Sequence, residues 1–392
     1  MLRSSVNGVL RARQAGAERR LATTVPAESV TEDANGSASR SITLPEIVTS
    51  KLASLQTDIV STILEQHSIT GGAVPAMSLS SLATTNNFTK NLQEMAKYYF
   101  AQGGKLFRPK VSLLMSDACS QLAGSKIDAG SVSLNQYRIA MVSEMIHTAS
   151  LVHDDVIDES DQRRGQPTVN ARWGNRQAVL VGDFILARAT KVLCSIGEPP
   201  VISTMAEVVE DLVQGELMQL TVPSELEPAQ RFQHYMTKTF YKTASLFANS
   251  CKSVAMLAGL SESHQKDAFD YGRHLGLGFQ LVDDMLDYVA SSAVLGKPSV
   301  SDLRQGLATC PVLFAAHDYP ELNALINRRF RQDGDVERAL NIVMNSTGLE
   351  QTRELAKEHS LAAVSLAEKL PRGDSSRDCL IEIAVKQLDR DH

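Results

Sequence analysis

From Leu44 to the C-terminus, apolar residues recur with helical spacing, and β-branched alternation of strand length is hard to find. The class predicted is all-α. A first helix is expected over 45–66, with Pro45 in its opening turn, where a missing N–H costs nothing. Another is expected over 90–100, while residues 68–87, punctuated by Gly71, Gly72 and Pro75, read as a loop. Helices follow over 173–196 and 201–220, divided by Gly197 and the Pro199–Pro200 pair, and then over 232–260. Beyond Tyr288 at least three more are expected, with turns at Asp333–Gly334 and Pro371–Arg372–Gly373.

Two helical stretches interrupt their apolar surroundings with carboxylates. In HTASLVHDDVIDESDQRRG (147–165), a rotation of about 100° per residue places His147, Ser150, Asp154 and Asp158 on one stripe. Asp154, Asp155 and Asp158 crowd together and repel, which suits a hard cation such as Mg²⁺; Arg163 and Arg164 directly after them suit a phosphate. FQLVDDMLD (279–287) repeats the device, with Gln280, Asp283, Asp284 and Asp287 on a second helical arc. One acidic triplet is as often a solvated helix face, but two embedded in apolar sequence argue for facing helices that clamp bridging Mg²⁺ onto one diphosphate. Gly272, Gly276 and Gly278 ahead of the second motif cost a helix about 1 kcal/mol each, so close approach of a backbone or ligand is expected there.

Other signals are weaker alone. GGKLFRP (103–109) ends a helix with Gly103 and Gly104 and adds Lys105 and Arg108, a pattern that ordinary capping also produces. In YKTA (241–244), Lys242 and Thr243 break a small-residue run, although a lone lysine there usually snorkels to the surface. Gln214, Glu216 and Gln219 read equally as supporting groups or as a solvated flank.

Composition narrows the class. The chain has 392 residues and a net charge of −6, so the basic surface expected of a nucleic-acid binder is missing. No run approaches the roughly 18 apolar residues of a membrane span, which leaves at most a peripheral association. Cys119, Cys194, Cys251, Cys310 and Cys379 are dispersed and odd in number, as buried free thiols in a reducing compartment would be. Residues 1–22 carry Arg3, Arg11, Arg13, Arg19 and Arg20 against Glu18 alone, the composition of a mitochondrial presequence; residues 23–43 read as a linker, and the catalytic domain as 44–392.

In order, GGKLFRP, HTASLVHDDVIDESDQRRG, YKTA, GFQLVDDMLD and GKP closely resemble the trans (E-type) polyprenyl diphosphate synthases, from about Leu44 onward. The resemblance implies the isoprenoid synthase helical fold, a bundle around a central active-site cavity, and condensation of isopentenyl diphosphate onto an allylic diphosphate such as farnesyl or geranylgeranyl diphosphate. It implies Mg²⁺ ligands at Asp154, Asp155, Asp158, Asp283, Asp284 and Asp287, with about three ions per site once substrate is bound. Lys105, Arg108, His147 and Arg164 would bind isopentenyl diphosphate. Arg163, Lys242, Thr243, Gln280 and Lys297 would hold the allylic diphosphate, with Lys242, Thr243 and Gln280 acting in catalysis. Two positions depart from many relatives, Leu106 where a basic residue is common and Leu307 where lysine is common; the mitochondrial long-chain branch resembles this chain at both.

Ala149 and Ser150 lie beneath Asp154, where short-chain relatives often carry bulky aromatics. Small residues there imply an open floor and a product of the octaprenyl to decaprenyl class, and with the presequence they imply the ubiquinone side chain made in the mitochondrial matrix. Fold relatives are usually homodimers, and some long-chain members pair with a divergent second subunit. A class I terpene cyclase would replace the second aspartate motif with an Asn/Ser/Glu triad. A regulatory subunit would lose metal ligands that this chain retains.

Overall fold

The computed structural model describes residues 42–65, 79–101, 103–124, 132–221, 226–293 and 300–390. Most of the expected presequence and linker, together with Lys297, lies outside the described residues. The apolar stripes become a succession of helices: α1 (Glu46–Leu64), α2 (Leu79–Ala101), α3 (Phe107–Leu122), α4 (Leu134–Ile157), the short α5 (Val169–Trp173), α6 (Asn175–Cys194), α7 (Pro199–Leu220), α8 (Pro228–Thr239), α9 (Ser245–Leu257) and α10 (Glu262–Ala293). After α10 come α11 (Ser301–Arg304), α12 (Cys310–Asp318), α13 (Leu322–Asn327), α14 (Asp335–Asn345), α15 (Gly348–Ala367) and α16 (Ser375–Lys386). Among the described residues the only strands are β1 (Gln162–Arg163) and β2 (Gln166–Pro167), an antiparallel pair after the first acidic motif. The protein is all-α, as its periodicity predicts.

Three boundaries differ from expectation. Residues 79–87, expected in a loop, are the first turns of α2, because neither Gly nor Pro follows Pro75 to interrupt them. α8 begins at Pro228 rather than residue 232, set by proline in its first turn and by a capping box in which the Glu227 N–H donates to Gln230 Oε1 at 3.2 Å. The helix expected over 232–260 also widens at Phe240–Ala244 into one π-helical turn that carries Lys242 and Thr243. Such turns often accompany functional sites, since the inserted residue re-aims side chains.

α4 is the central element of the main core. Its start is fixed by a second capping box, Gln136 N–H to Ser133 Oγ at 3.2 Å and Ser133 N–H to Gln136 Oε1 at 2.9 Å. Ile139, Met145 and Val152 of α4 are fully buried with Leu113 and Leu114 of α3, Ile185 of α6 and Phe247 of α9. A smaller core gathers Tyr288, Val300, Leu303, Leu325 and Phe330 behind the end of α10. Between α9 and α10 the helix glycines set the spacing. A Cβ at Gly272 would lie 2.5 Å from the Phe247 carbonyl oxygen, and one at Gly276 would lie 2.5 Å from Ala244 Cα. Close backbone approach therefore offsets their helix cost and brings the second acidic motif against the π turn.

All five cysteines are free; four are buried, but Cys194 is exposed at the end of α6, against the expectation of buried thiols. Among the described residues no helix is long and apolar enough to cross a membrane.

Candidate active site

The last turns of α4 present the first motif, and its three aspartates occupy different environments. Asp155 is 1% exposed; its Oδ1 accepts from Arg163 Nε at 2.9 Å and pairs with Nη2 at 2.7 Å, while its Oδ2 accepts from the Tyr99 hydroxyl at 3.0 Å. Asp154 and Asp158 form no side-chain hydrogen bond or ion pair among the described residues. Burial, more than any neighbour, pushes the Asp154 carboxyl up to about 6, with Glu216 and Asp158 adding repulsion against the pull of Lys242 and Arg163. Burial likewise raises Asp158.

The second motif, on α10, divides in a similar way. Asp284 is 3% exposed, and its oxygens accept from Gln280 Nε2 at 2.9 Å and from the Tyr235 hydroxyl at 2.5 Å. Asp287 accepts from the backbone N–H groups of Ser301 and Asp302, both at 3.0 Å, and so anchors α11. Asp283 is the open member, with its side chain 52% exposed and Arg390 Nη2 at 3.5 Å. Each motif thus has a middle aspartate locked to a tyrosine and at least one carboxylate left available.

Cations lie within electrostatic reach of both stripes. Arg108 Nη1 donates to His147 Nε2 at 3.1 Å, which fixes the ring as a neutral acceptor, and burial with nearby arginines keeps the His147 pKa well below its usual range. The Arg108 Nε is buried without a partner, and burial lowers its pKa to about 10 despite Glu144 and Asp283. The hairpin turn at Arg164–Gly165, both at positive φ, separates two neighbouring arginines. Arg163 turns back to Asp155, while Arg164 donates to the Gly103 carbonyl and lies where a side chain at Gly104 would be, at 3.2 Å. Gly103, Glu144, His147 and Arg164 line one small cavity with Tyr99. At the π turn Lys242 pairs with Glu216, and the Thr243 hydroxyl donates to Gln280 Oε1 at 2.9 Å.

Electrostatic reach ties the halves together. Burial raises the Asp283 carboxyl against the pull of Arg390 and of Arg108, the partner of His147 on α4, while Lys242 on the π turn acts on Asp154 and Asp158 of the first motif. Lys105 is exposed on the loop before α3, Ala149 is fully buried in the main core, and the half-buried Ser150 donates to the His147 carbonyl at 2.9 Å.

Several groups here escaped the sequence reading. Glu144, three residues before His147, and Lys238, four before Lys242, share stripes with residues already singled out, so helical spacing could have found them. Nothing in the sequence around Tyr99, Tyr235 or Arg390 marks them as neighbours of the acidic motifs. Glu216, left open between two roles, is a half-buried partner of Lys242.

The donors fit divalent magnesium. Among the described residues Asp154 and Asp158 are carboxylates without a hydrogen bond or ion pair, and Asp283 is the open carboxylate of the second motif, a set of oxygen donors of the hard kind Mg²⁺ prefers. Among the described residues no three His, Cys, Asp or Glu side chains converge on one point, and an octahedral Mg²⁺ would complete its shell with water and phosphate oxygens.

Compared with known proteins, residues 89–343 match the polyprenyl synthetase family. The chain belongs to that family. It is 47% identical over 303 residues to the mouse all trans-polyprenyl-diphosphate synthase PDSS1, covering 77% of this chain and 73% of the relative. It is also 43% identical over 313 residues to the mitochondrial solanesyl-diphosphate synthase 1 of Oryza sativa subsp. japonica, covering 76% of this chain and 72% of that one. Among solved structures, a decaprenyl diphosphate synthase from Rhodobacter capsulatus superposes with a TM-score of 0.72 at 30% identity, over 88% of this chain and 97% of that chain. A polyprenyl synthetase is by its chemistry a prenyltransferase, and the helical architecture described above is that of its family.

Proposed function

We propose that the protein is a long-chain trans-polyprenyl diphosphate synthase that adds isopentenyl diphosphate units to an allylic diphosphate and supplies the ubiquinone side chain. One observation supports the reading: each carboxylate stripe has a cation of the basic segments within electrostatic reach, Arg108 of GGKLFRP acting with Asp283 and Lys242 of YKTA with Asp154 and Asp158. Acid on two facing helices with basic groups around it suits a diphosphate held from both sides. The relatives' names, all-trans-polyprenyl and mitochondrial solanesyl diphosphate synthases, support the product class.

Asp154, Asp158 and Asp283 would hold Mg²⁺, about three ions with substrate bound, and when bound the metal offsets the negative charge that grows on a departing diphosphate. Lys242, Thr243 and Gln280 hold the allylic diphosphate on the π-turn side; Arg163, and Lys297 outside the described residues, are the further groups expected to bind it. Gln280 is oriented by its own amide, which donates to Asp284 while its carbonyl accepts from Thr243. Arg108, Arg164, Lys105 and the neutral His147 hold isopentenyl diphosphate on the α3–α4 side. Breaking the allylic carbon–oxygen bond leaves a cation; the double bond of isopentenyl diphosphate attacks it, and loss of a proton, with the released diphosphate as acceptor, restores a double bond. Aromatic and aliphatic walls keep water from trapping the cation. Asp155 and Asp284, saturated by tyrosines and their neighbours, orient the two stripes.

Small residues at Ala149 and Ser150 support a product of the octaprenyl to decaprenyl class. The chain would grow along α4 toward the cleft framed by Leu134, Val201 and Leu257 at the far ends of α4, α7 and α9, about 30 Å from Asp154 at 1.5 Å per residue. Residues 1–22 would direct the protein to the mitochondrial matrix, and the enzyme would work as a homodimer or with a divergent second subunit, peripheral to the inner membrane when its product is long. Incubation of the purified chain with Mg²⁺, labelled isopentenyl diphosphate and farnesyl diphosphate, alone and with a candidate second subunit, tests the reading. Ladders ending at eight to ten units, as octaprenyl to decaprenyl names imply, support it; no elongation under either condition, or a cyclised hydrocarbon, rejects it.

A further inference from the structure

We infer that Lys238, in the last turn of α8, is a further ligand of the allylic diphosphate, reaching it from the side of the second acidic motif. The inference rests on the proposed prenyltransferase reading and adds a residue that neither motif contains. A lysine at this point of a helix ordinarily answers to the C-terminal dipole. Here the helical path continues directly through the π turn, so α8 has no free carbonyl end for Lys238 to cap. Its ammonium, half-buried, forms no hydrogen bond or ion pair within 4 Å among the described residues.

The surroundings are those of a group waiting for an anion. Lys238 lies over the Tyr235 ring with Nζ 5.3 Å from the centroid, and Tyr235 is the residue that locks Asp284. It is within electrostatic reach of Asp284 and Asp302 on one side and of Lys242 and Glu216 on the other. Glu216 is already paired with Lys242, the two oxygens of Asp284 accept from Gln280 and Tyr235, and among the described residues Asp302 acts on Lys238 without a hydrogen bond or ion pair. Lys242 follows four positions later, inside the π turn, and the two ammonium groups lie within electrostatic reach of each other, so the chain carries two cations from the end of α8 into that turn. Burial depresses the Lys238 pKa, which an arriving diphosphate would reverse. Leu307 and Lys238 line one cleft with Arg231 and Arg329, whose guanidinium groups already donate to Asn323, Asn327 and the Leu220 carbonyl, so Lys238 is the cation of that cleft without such a partner among the described residues.

Two measurements on Lys238→Met decide the matter. In steady-state assays with each substrate varied, the variant is expected to raise KM for farnesyl diphosphate about tenfold or more, the loss of one charge-assisted contact, while KM for isopentenyl diphosphate stays within about twofold. Calorimetry with inorganic pyrophosphate and Mg²⁺ is expected to show a parallel loss of affinity, and Lys238→Met with Leu307→Lys to recover most of it by returning the charge to the cleft. Unchanged pyrophosphate affinity in Lys238→Met overturns the inference, as does an equal rise in both KM values that Leu307→Lys leaves in place. Should the native chain fail to elongate any prenyl diphosphate, the proposed function falls, and the calorimetry still decides whether Lys238 binds the anion.

Discussion

Asparagine in place of Asp154 separates the two duties a carboxylate can have in this cavity. The native side chain has no donor to compensate it, and burial carries its pKa from 3.8 to about 6. A raised carboxylate pKa means the charged form is disfavoured in the fold, so the penalty is fully present above the folded value and fades as pH falls toward the unfolded one. At about 1.4 kcal/mol per pKa unit, the metal-free protein carries on the order of 2–3 kcal/mol of strain from this one group at pH 7.5, most of it gone by pH 4.5. Asp154→Asn should therefore be more stable than the native chain by that amount in urea denaturation with chelator at pH 7.5, and by only about 1 kcal/mol at pH 4.5. The same variant should lose turnover with Mg²⁺ and farnesyl diphosphate by several orders of magnitude. A variant that is less stable than the native chain without metal would show that Asp154 is a structural group, and retained turnover would remove it from the site.

Tyr99→Phe leaves the buried Asp155 short of one donor and should cost about 1.5–3 kcal/mol in chemical denaturation while lowering kcat far less than Asp154→Asn; no stability loss would show that the hydroxyl does not hold that carboxylate. Ser150→Phe should shift the product ladder to shorter chains, read by chromatography of the dephosphorylated alcohols, and an unchanged ladder would reject the open floor; Ala149→Phe should do the same with an added packing cost of about 1–3 kcal/mol. His274 and His359, with Nδ1 atoms 2.8 Å apart, have pKa values lowered by burial to about 4 and about 3. Both are thus neutral in the fold, and their contribution is complete above the unfolded value and lost as pH falls from about 6.5 toward 4. Melting scans should show on the order of 2–4 kcal/mol lost between pH 7 and pH 5 that is reduced in His274→Phe, and an identical pH profile in that variant would contradict the assignment.

Helix class and the two acidic stripes were readable in the sequence because both are periodic: burial on one helical face writes itself every three to four residues, and so does a line of aspartates. The spacing role of Gly272 and Gly276 was also legible, since glycine inside a helix needs a reason. Less visible was the division of labour inside each motif. Asp155 and Asp284 look the same as Asp154 and Asp283 in the sequence, and only the placement of Tyr99 and Tyr235, 56 and 49 residues away, reveals that the middle aspartates are already satisfied. The π turn left no trace either, because inserting one residue into a helix changes phase without requiring any particular side chain. Arg390 reaches Asp283 from the chain's end, a contact that depends wholly on how α15 and α16 return the backbone to α10.

The most direct test of the account is a crystal structure of the protein soaked with Mg²⁺ and a non-ionisable thio analogue of farnesyl diphosphate. The account predicts one diphosphate bridged through metal to Asp154 and Asp158 on one side and to Asp283 on the other, with Lys242 against its oxygens. Metal and diphosphate bound at one motif alone, with the other motif's carboxylates turned to solvent, would contradict it.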